Sequence, residues 1–479
     1  MTLLELLLPA GRARGALVLG AGCPQRLRPR ECAGGAVDLA VLAPAAGELA
    51  APGWLDGAVA ESATRLAPDG LLYALLPPGA RRRAARALRA RGLVVDHATL
   101  HLPDVATTSQ IVPLRSAPAR HALTRVVPLV PWKQTAAGLL LRVGGAGALA
   151  ATAGPVALLA RRPGARPLLE WLFALTGTAP APADASAVIS ASWRAGGPRV
   201  VLQPFPHGAR PVVAKVALDG GGGGDTEATR LERLGAAARS AGADVPRMLV
   251  GTRLHDRDVL VETRVEGDVL APLLIRGRRP LGQALAPVCA WLQAWGVETA
   301  AEAVLDGARL EREILAPAAA LAPDLPRGGE YLSYLRARCA AVEGTRVVLT
   351  AAHNDLTMWN VLVDADAAVG IVDWEAAEPT TLPLKDFFYA TVDAVAATSR
   401  YADRPAAYDS CFVSGGGTRD AVTRAGDAMI VALRIVPEVV ELSRHACWLG
   451  HASDESRSVA PCEPRPFLQI VRKLARAAR

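Results

Sequence analysis

Two short apolar runs, Val361-Leu362-Val363 and Val369-Gly370-Ile371-Val372, flank the polar stretch Asp364-Ala365-Asp366-Ala367-Ala368, and this pattern constrains the chain to a tight antiparallel hairpin. With the turn centred near Asp366, residues whose numbers sum to about 733 stand opposite one another, give or take a residue or two. Asn360 then faces Asp373 at the open end. An amide oxygen beside a carboxylate suits a hard magnesium ion that keeps phosphate oxygens and waters as its other ligands. The run leading into the hairpin, His353-Asn354-Asp355-Leu356-Thr357-Met358-Trp359-Asn360, contains the only two asparagines in the chain. It sets Asp355 in a loop, where its carboxylate could take a proton from a hydroxyl. Singly, Asp364, Asp366 and Asp373 read as ordinary turn and strand-end acids. His, Asp, Asn and Asp at these spacings together read as a site.

The remaining composition frames that site. At 479 residues the chain exceeds one ordinary core, so two or three domains are expected. Hydrophobic residues make up 51% and charged residues 21%, the balance of a soluble globular protein. Arginine carries nearly all the positive charge, since lysine occurs only as Lys133, Lys215, Lys385 and Lys473. The net charge of +7 comes with no basic run interleaved with stacking aromatics, so no nucleic-acid partner is expected. The seven cysteines are scattered and lack C-x-x-C spacing, which argues against a disulfide framework or a zinc site and for a reducing, cytoplasmic setting. Glu5 breaks the first apolar run, so no export signal is expected. Val143 to Ala160 is uncharged but built of Ala and Gly around Pro155; it reads as linker plus buried helix rather than a stable membrane span. Nothing in the residues speaks to oligomeric state.

Along the chain, residues 1–135 alternate strand and helix patterns, as an α/β domain does. Strands are expected at Ala16 to Leu19, Val37 to Leu42, Leu71 to Leu76 and Val94 to His101, with helices at Trp54 to Leu66 and Arg81 to Arg91. Residues 136–184, rich in Ala, Gly and Pro, read as a linker with one helix near Leu168 to Leu175. Residues 185–270 read as a five-stranded sheet with one helix, Thr226 to Ala241, capped by Asp225 after the glycines 220–224. Residues 271–479 are mostly helical. In the strand Val212 to Val216, alternation sends Ala214 and Val216 to one face and Lys215 to the other. Glu227, spaced helically from Leu231 and Leu234, is preferred to Glu232 as an ion-pair partner for Lys215.

Over residues 185–479 the chain resembles the aminoglycoside phosphotransferase and choline kinase family of small-molecule kinases. The resemblance is carried by Val212 to Val216, Glu227 to Leu231, His353 to Asn360, Asp373-Trp374-Glu375 and Asp386-Phe387-Phe388-Tyr389. It implies a bilobal protein-kinase-like α+β fold, with the lobes at 185–270 and 271–479, and ATP (or GTP) with Mg2+ as cofactors. Asp355 would be the catalytic base, Asn360 and Asp373 the metal ligands, and Lys215 the contact to the α- and β-phosphates. Glu262, Thr263 and Arg264 would meet adenine through the backbone, and the turn with Gly196 and Gly197 would cover the phosphates. The acceptor would be a small-molecule hydroxyl bound among the C-terminal helices, where Asp393, Asp403, Asp409, Glu438 and Glu441 are candidate acids. Residues 1–135 resemble a degenerate, truncated class I S-adenosylmethionine-dependent methyltransferase domain of Rossmann type. The carriers are the turn Gly20-Ala21-Gly22 after the first strand and Ala67-Pro68-Asp69-Gly70 after the helix. Only fourteen residues separate Gly22 from Val37, too few for the family's next helix and strand. A pseudokinase scaffold and a bifunctional methyltransferase stay open as alternatives.

Overall fold

The computed structural model describes residues 2–31, 35–102, 108–114, 116, 139, 156–177, 185–194, 197–204, 211–218, 227–457 and 465–478. It divides into two compact units, Met1–Gly222 with Met248–Arg264, and Gly223–Arg247 with Val265–Arg479. The three cuts fall after Gly222, Arg247 and Arg264, and the first unit is built on one continuous sheet.

That sheet uses β1 (Ala16–Leu19), β2 (Val37–Leu42), β3 (Leu66–Leu75), β4 (Val94–Leu102), β5 (Gln110–Pro113), β6 (Val156–Arg161), β7 (Ala187–Arg194), β8 (Gly197–Pro204) and β9 (Val212–Ala217). Past a short strand of the second unit, β10 (Ala243–Asp244), it adds β11 (Met248–Leu254) and β12 (Arg257–Thr263). The order is β1-β2-β3-β6-β4-β5-β7-β8-β9-β12-β11. The first three strands are parallel, and β6 runs antiparallel between β3 and β4. Strands β5 and β7 join the two halves through the pairs Gln110↔Ser190 and Ile111↔Ile189.

Two expectations need correction here. The stretch 136–184 is not only linker and helix: it supplies β6 to the interior of the sheet. Val156 to Ala160 is buried at every position, and a run apolar on both faces carries no alternation to set it apart from a buried helix. Ala67 to Gly70, expected to close a helix, lies inside β3, where the pairing with β2 shifts between Val37 and Leu39.

Alternation along the parallel strands sorts the core. Leu17, Ala40, Leu42, Leu72 and Ala74 pack with the helices α1 (Trp54–Arg65) and α2 (Pro78–Ala90) on one face. Val18, Leu39, Val41, Leu71 and Tyr73 line the other, with residues 3–8 and the helix α3 (Glu170–Leu175). Trp171 and Phe173 of α3 are core residues, and the Trp171 indole donates to Leu6 O at 2.9 Å.

The second unit opens with α4 (Glu227–Ser240). Its small sheet runs β10, β17 (Val369–Ile371), β16 (Val361–Val363) and β13 (Asp268–Val269); a second sheet holds β14 (Ala301–Val304), β15 (Arg346–Ala352) and β18 (Glu378–Thr381). Around them lie α5 (Leu281–Glu298), α6 (Gly328–Val342), α7 (Lys385–Thr398), α8 (Arg404–Phe412), α9 (Gly417–Leu433), α10 (Pro437–Arg457) and α11 (Pro466–Ala477). Helix α11 buries Leu468, Ile470, Val471 and Leu474, and its Phe467 ring lies 5.3 Å from that of His451 on α10. No helix among the described residues is long and apolar enough to cross a membrane.

On α10, His445 meets the Tyr331 hydroxyl through Nδ1 at 2.8 Å, and burial pushes its pKa down to about 4. A histidine held neutral in the fold but free to protonate when unfolded stabilises fully above about pH 6.5, and that stability is lost as pH falls toward the folded value. Urea unfolding is therefore expected to weaken between pH 6.5 and 4, by at most about 1.4 kcal/mol per pH unit for this group. His445→Gln should flatten that slope; an unchanged slope would exclude His445 as its source.

Candidate active site

The hairpin β16/β17 pairs Val361↔Ile371, Leu362↔Gly370 and Val363↔Val369, one residue short of the expected register. The partner of Asn360 is thus Val372, whose N–H donates to Asn360 O at 3.0 Å, and Asp373 stands one residue beyond. The turn sets this register: the Asp364 N–H donates to Ala368 O at 3.2 Å, which centres the turn on Asp366. Asp373 adopts φ +68° and starts the 3-10 turn Trp374–Ala376.

Asp355 and Asn360 are brought together directly. Asn360 Nδ2 donates to Asp355 O at 2.8 Å and to Asp355 Oδ2 at 3.3 Å. These bonds fix which end of the amide is nitrogen, and so leave Oδ1 as the end with the donor character a hard cation needs. Asp355, Asn360 and Asp373 are all half-buried. Among the described residues no three His, Cys, Asp or Glu side chains gather as a metal cluster. The oxygen donors that could hold a hard cation here are the Asn360 amide and the Asp373 carboxylate, with the other positions left to substrate oxygens and water.

The backbone around these side chains is held by groups the sequence pattern did not single out. Asp386, buried in α7, accepts the N–H of His353 at 2.6 Å and of Asn354 at 2.8 Å. Burial pushes its carboxyl up, and the neighbouring His353 and the two N–H groups oppose that rise. His353 reaches Val372 O through Nε2 at 3.0 Å and packs edge-on to Trp374, so it braces the loop against the hairpin. Asn354, at φ +62°, donates to Ala376 O at 3.1 Å. Glu227, the first residue of α4, accepts the Trp374 N–H at 3.0 Å, which anchors the turn beside Asp373.

The five candidate acids of the C-terminal helices divide. Asp393 is fully buried, Asp403 caps α8 by accepting the Ala406 N–H, Asp409 pairs with Lys473, and Glu441 pairs with Arg338. Glu438 is exposed. Asp386 and Asp393 were legible in principle: α7 is apolar nearly all round, so its acids must be buried and therefore satisfied.

In the first unit, Ala214 and Val216 face the core, and Lys215 lies on the opposite side of β9. Its Nζ is 3.2 Å from Oε1 of Glu262, a diagonal neighbour on β12, since Lys215 pairs with Leu260. Glu262 thus contributes a buried carboxylate, while its backbone lies between β9 and β11. Thr263 ends β12, and the Arg264 N–H donates to Pro211 O at 3.1 Å. Gly197 opens β8 opposite Arg194. Gly196, like the Asp225 cap and the glycines 220–224, lies outside the described residues.

The turn Gly20-Ala21-Gly22 of the same unit is filled from within. A Cβ on Gly20, at φ +98°, would fall 2.4 Å from Ala43 O, and one on Gly22 would fall 2.6 Å from Pro44 O. The Gly22 N–H donates to Ala43 O at 2.7 Å and the Ala21 N–H to Glu48 Oε2 at 3.0 Å. The glycines serve a close backbone approach, and both amides are taken by the chain itself.

No family model matches the chain, and no curated protein matches its sequence. Its structural neighbours include small-molecule phosphotransferases. An aminoglycoside phosphotransferase solved with GDP and kanamycin is 12% identical, covering 61% of this chain and 92% of that one at a TM-score of 0.36. An aminoglycoside phosphotransferase from Streptomyces rimosus is 16% identical, covering 52% and 93% at 0.30. A macrolide 2'-phosphotransferase from Brachybacterium faecium is 16% identical, covering 53% and 89% at 0.28. At these scores the likeness carries no argument, and function has to be argued from the residues.

Asp386→Ala should lower stability by about 2–4 kcal/mol, because two buried N–H groups lose their acceptor. Asp386→Asn, which keeps one acceptor oxygen, should cost less. Urea unfolding followed by tryptophan fluorescence reads both, and equal midpoints for wild type and Asp386→Ala would contradict the assignment.

Proposed function

We propose that the chain is a phosphotransferase that moves the terminal phosphoryl group of ATP or GTP, bound with magnesium, to a hydroxyl of a small molecule. The observation that carries this reading is the locked pair Asp355–Asn360 at the mouth of a hairpin whose other strand leads into Asp373. A carboxylate in a loop next to an oriented amide oxygen and a second carboxylate is the set that phosphoryl transfer needs, since its catalysis is positioning and charge stabilisation.

In this reading the Asp355 carboxylate takes the proton of the acceptor hydroxyl as its oxygen bonds to the γ-phosphorus. The bond from that phosphorus to the bridging oxygen breaks, and the nucleoside diphosphate leaves with the electron pair. Asn360 and Asp373 hold magnesium, which when bound neutralises phosphate charge. Lys215 supplies a cation to the α- and β-phosphates, and Glu262 fixes the ammonium by its ion pair. Glu227 acts on the site by holding the Trp374 N–H. Thr263 and Arg264 are assigned to the adenine edge, and Gly196 with Gly197 to the cover over the phosphates. The setting is cytoplasmic.

Two other readings fit less well. A pseudokinase scaffold would have no use for an amide held in one orientation against Asp355. The first module, with parallel β1 to β3 and antiparallel β6 inserted before β4, is compatible with a truncated Rossmann-like, methyltransferase-like origin. Its glycine turn, with both amides taken by the chain, argues against a working S-adenosylmethionine site.

Asp355→Asn should cut transfer by about 10²–10⁴-fold while leaving nucleotide affinity within about threefold. Lys215→Met should weaken nucleotide binding. A labelled-ATP assay against aminoglycosides, choline and amino sugars, paired with calorimetry, reads these variants. Full turnover by Asp355→Asn would defeat the proposal.

A further inference from the structure

Asp386 does not hold the loop alone. Seven residues on, two turns along the same face of α7, stands a second buried acid, Asp393, with 1% of its surface exposed. Its Oδ2 accepts the Met358 N–H at 2.7 Å and the Tyr401 hydroxyl at 3.1 Å. Its Oδ1 lies 3.0 Å from Arg404 Nη2 in a charge contact too bent for an aligned hydrogen bond. The Met358 carbonyl is fixed as well, accepting the Ala271 N–H at 2.8 Å. Arg404, the first residue of α8, has its guanidinium over the rings of Tyr401 at 5.2 Å and Phe467 at 4.8 Å. One helix therefore grips the loop at residues 353 and 354 and again at 358. Asp355 lies between the two grips, and Asn360 just past the second.

We infer that Asp393, charge-balanced by Arg404, is a second positioning residue for the loop that carries Asp355 and Asn360, so that helices α8 and α11 are tied to the reacting groups through Met358. The inference rests on the phosphotransferase reading only for the word reacting; the grip itself is a property of the fold. A buried carboxylate is costly unless its lone pairs and charge are answered. Here one backbone N–H of the loop provides part of that answer. Replacing the carboxylate by an amide removes the charge that answers Arg404 and puts an NH2 donor where one acceptor oxygen stood, which weakens the hold on the Met358 N–H in a loop with little structure of its own.

Hydrogen exchange of the full chain, read by mass spectrometry over residues 353–363, tests the grip without any nucleotide, so it stands or falls independently of the reading tested by Asp355→Asn. In Asp393→Asn the amides of 355–360 should exchange about tenfold faster while those of β15 and α10 stay within twofold. Asp409→Asn, on the same helix as Arg404 but paired with Lys473, should leave the loop unchanged. If Asp393→Asn does not fold, Tyr401→Phe removes a single bond to Oδ2 and should raise loop exchange about threefold. In parallel, magnesium-dependent ATP hydrolysis by Asp393→Asn should show kcat about tenfold lower with KM for ATP within twofold, and Arg404→Lys should fall between it and wild type. Loop exchange equal to wild type, acceleration spread evenly over the second unit, or an unchanged kcat would overturn the inference.

Discussion

The carboxylate of Asp386, sealed inside an apolar helix, is the interaction on which the rest of the second unit depends. A buried charge must find donors, and the donors nearest to it are the N–H groups of a loop that belongs to no strand or helix of its own. Satisfying the acid and ordering the loop are therefore one event. Once His353 and Asn354 are held, the His353 ring can reach Val372 O, the hairpin is braced, and Asn360 and Asp373 come to its mouth.

Polar satisfaction proceeds outward from that centre. Trp374, fully buried, stacks edge-on between His353 and Trp295 while its backbone N–H is accepted by Glu227 of α4. The turn beside Asp373 is thus fixed from the loop, the core and the helix at once. In the first unit the same logic applies on a smaller scale: Lys215 is set by the buried Glu262 on the adjacent strand, not by the flexibility of its own stem. The loop that carries Asp355 and the Lys215 ammonium are thus held by Asp386 and Glu262, groups with no proposed chemical step of their own, as preorganised electrostatic catalysis requires.

What the sequence revealed, and what it hid, follows from the range of the interactions involved. The hairpin was legible because its turn and its two apolar runs are adjacent in the chain, and its register came out within a residue of the expected one; the left-handed turn at Asp373, beside a Trp374 N–H held by Glu227 of a distant helix, was not legible. The strands β1, β2, β4 and β9 were legible within a residue or two from alternation and flanking turns. Strand β6 was not, since a doubly buried strand and a buried helix share one pattern. Nor could any local signal tell that β5 and β7 pair, so that two apparent domains share a sheet. Asp386 and Asp393 were visible as letters in an apolar helix, but their partners are backbone amides, which every residue carries and no sequence marks.

Asn360 and Asp373 are proposed to hold a divalent ion together with a nucleotide. Titrating Mn2+ into the full chain with a non-hydrolysable ATP analogue, and following the free ion by electron paramagnetic resonance, tests it most directly. Nucleotide-dependent Mn2+ binding is expected of the wild type, lost in Asp373→Asn and weakened in Asn360→Ala. Equal binding by all three proteins, or none by the wild type, would contradict it.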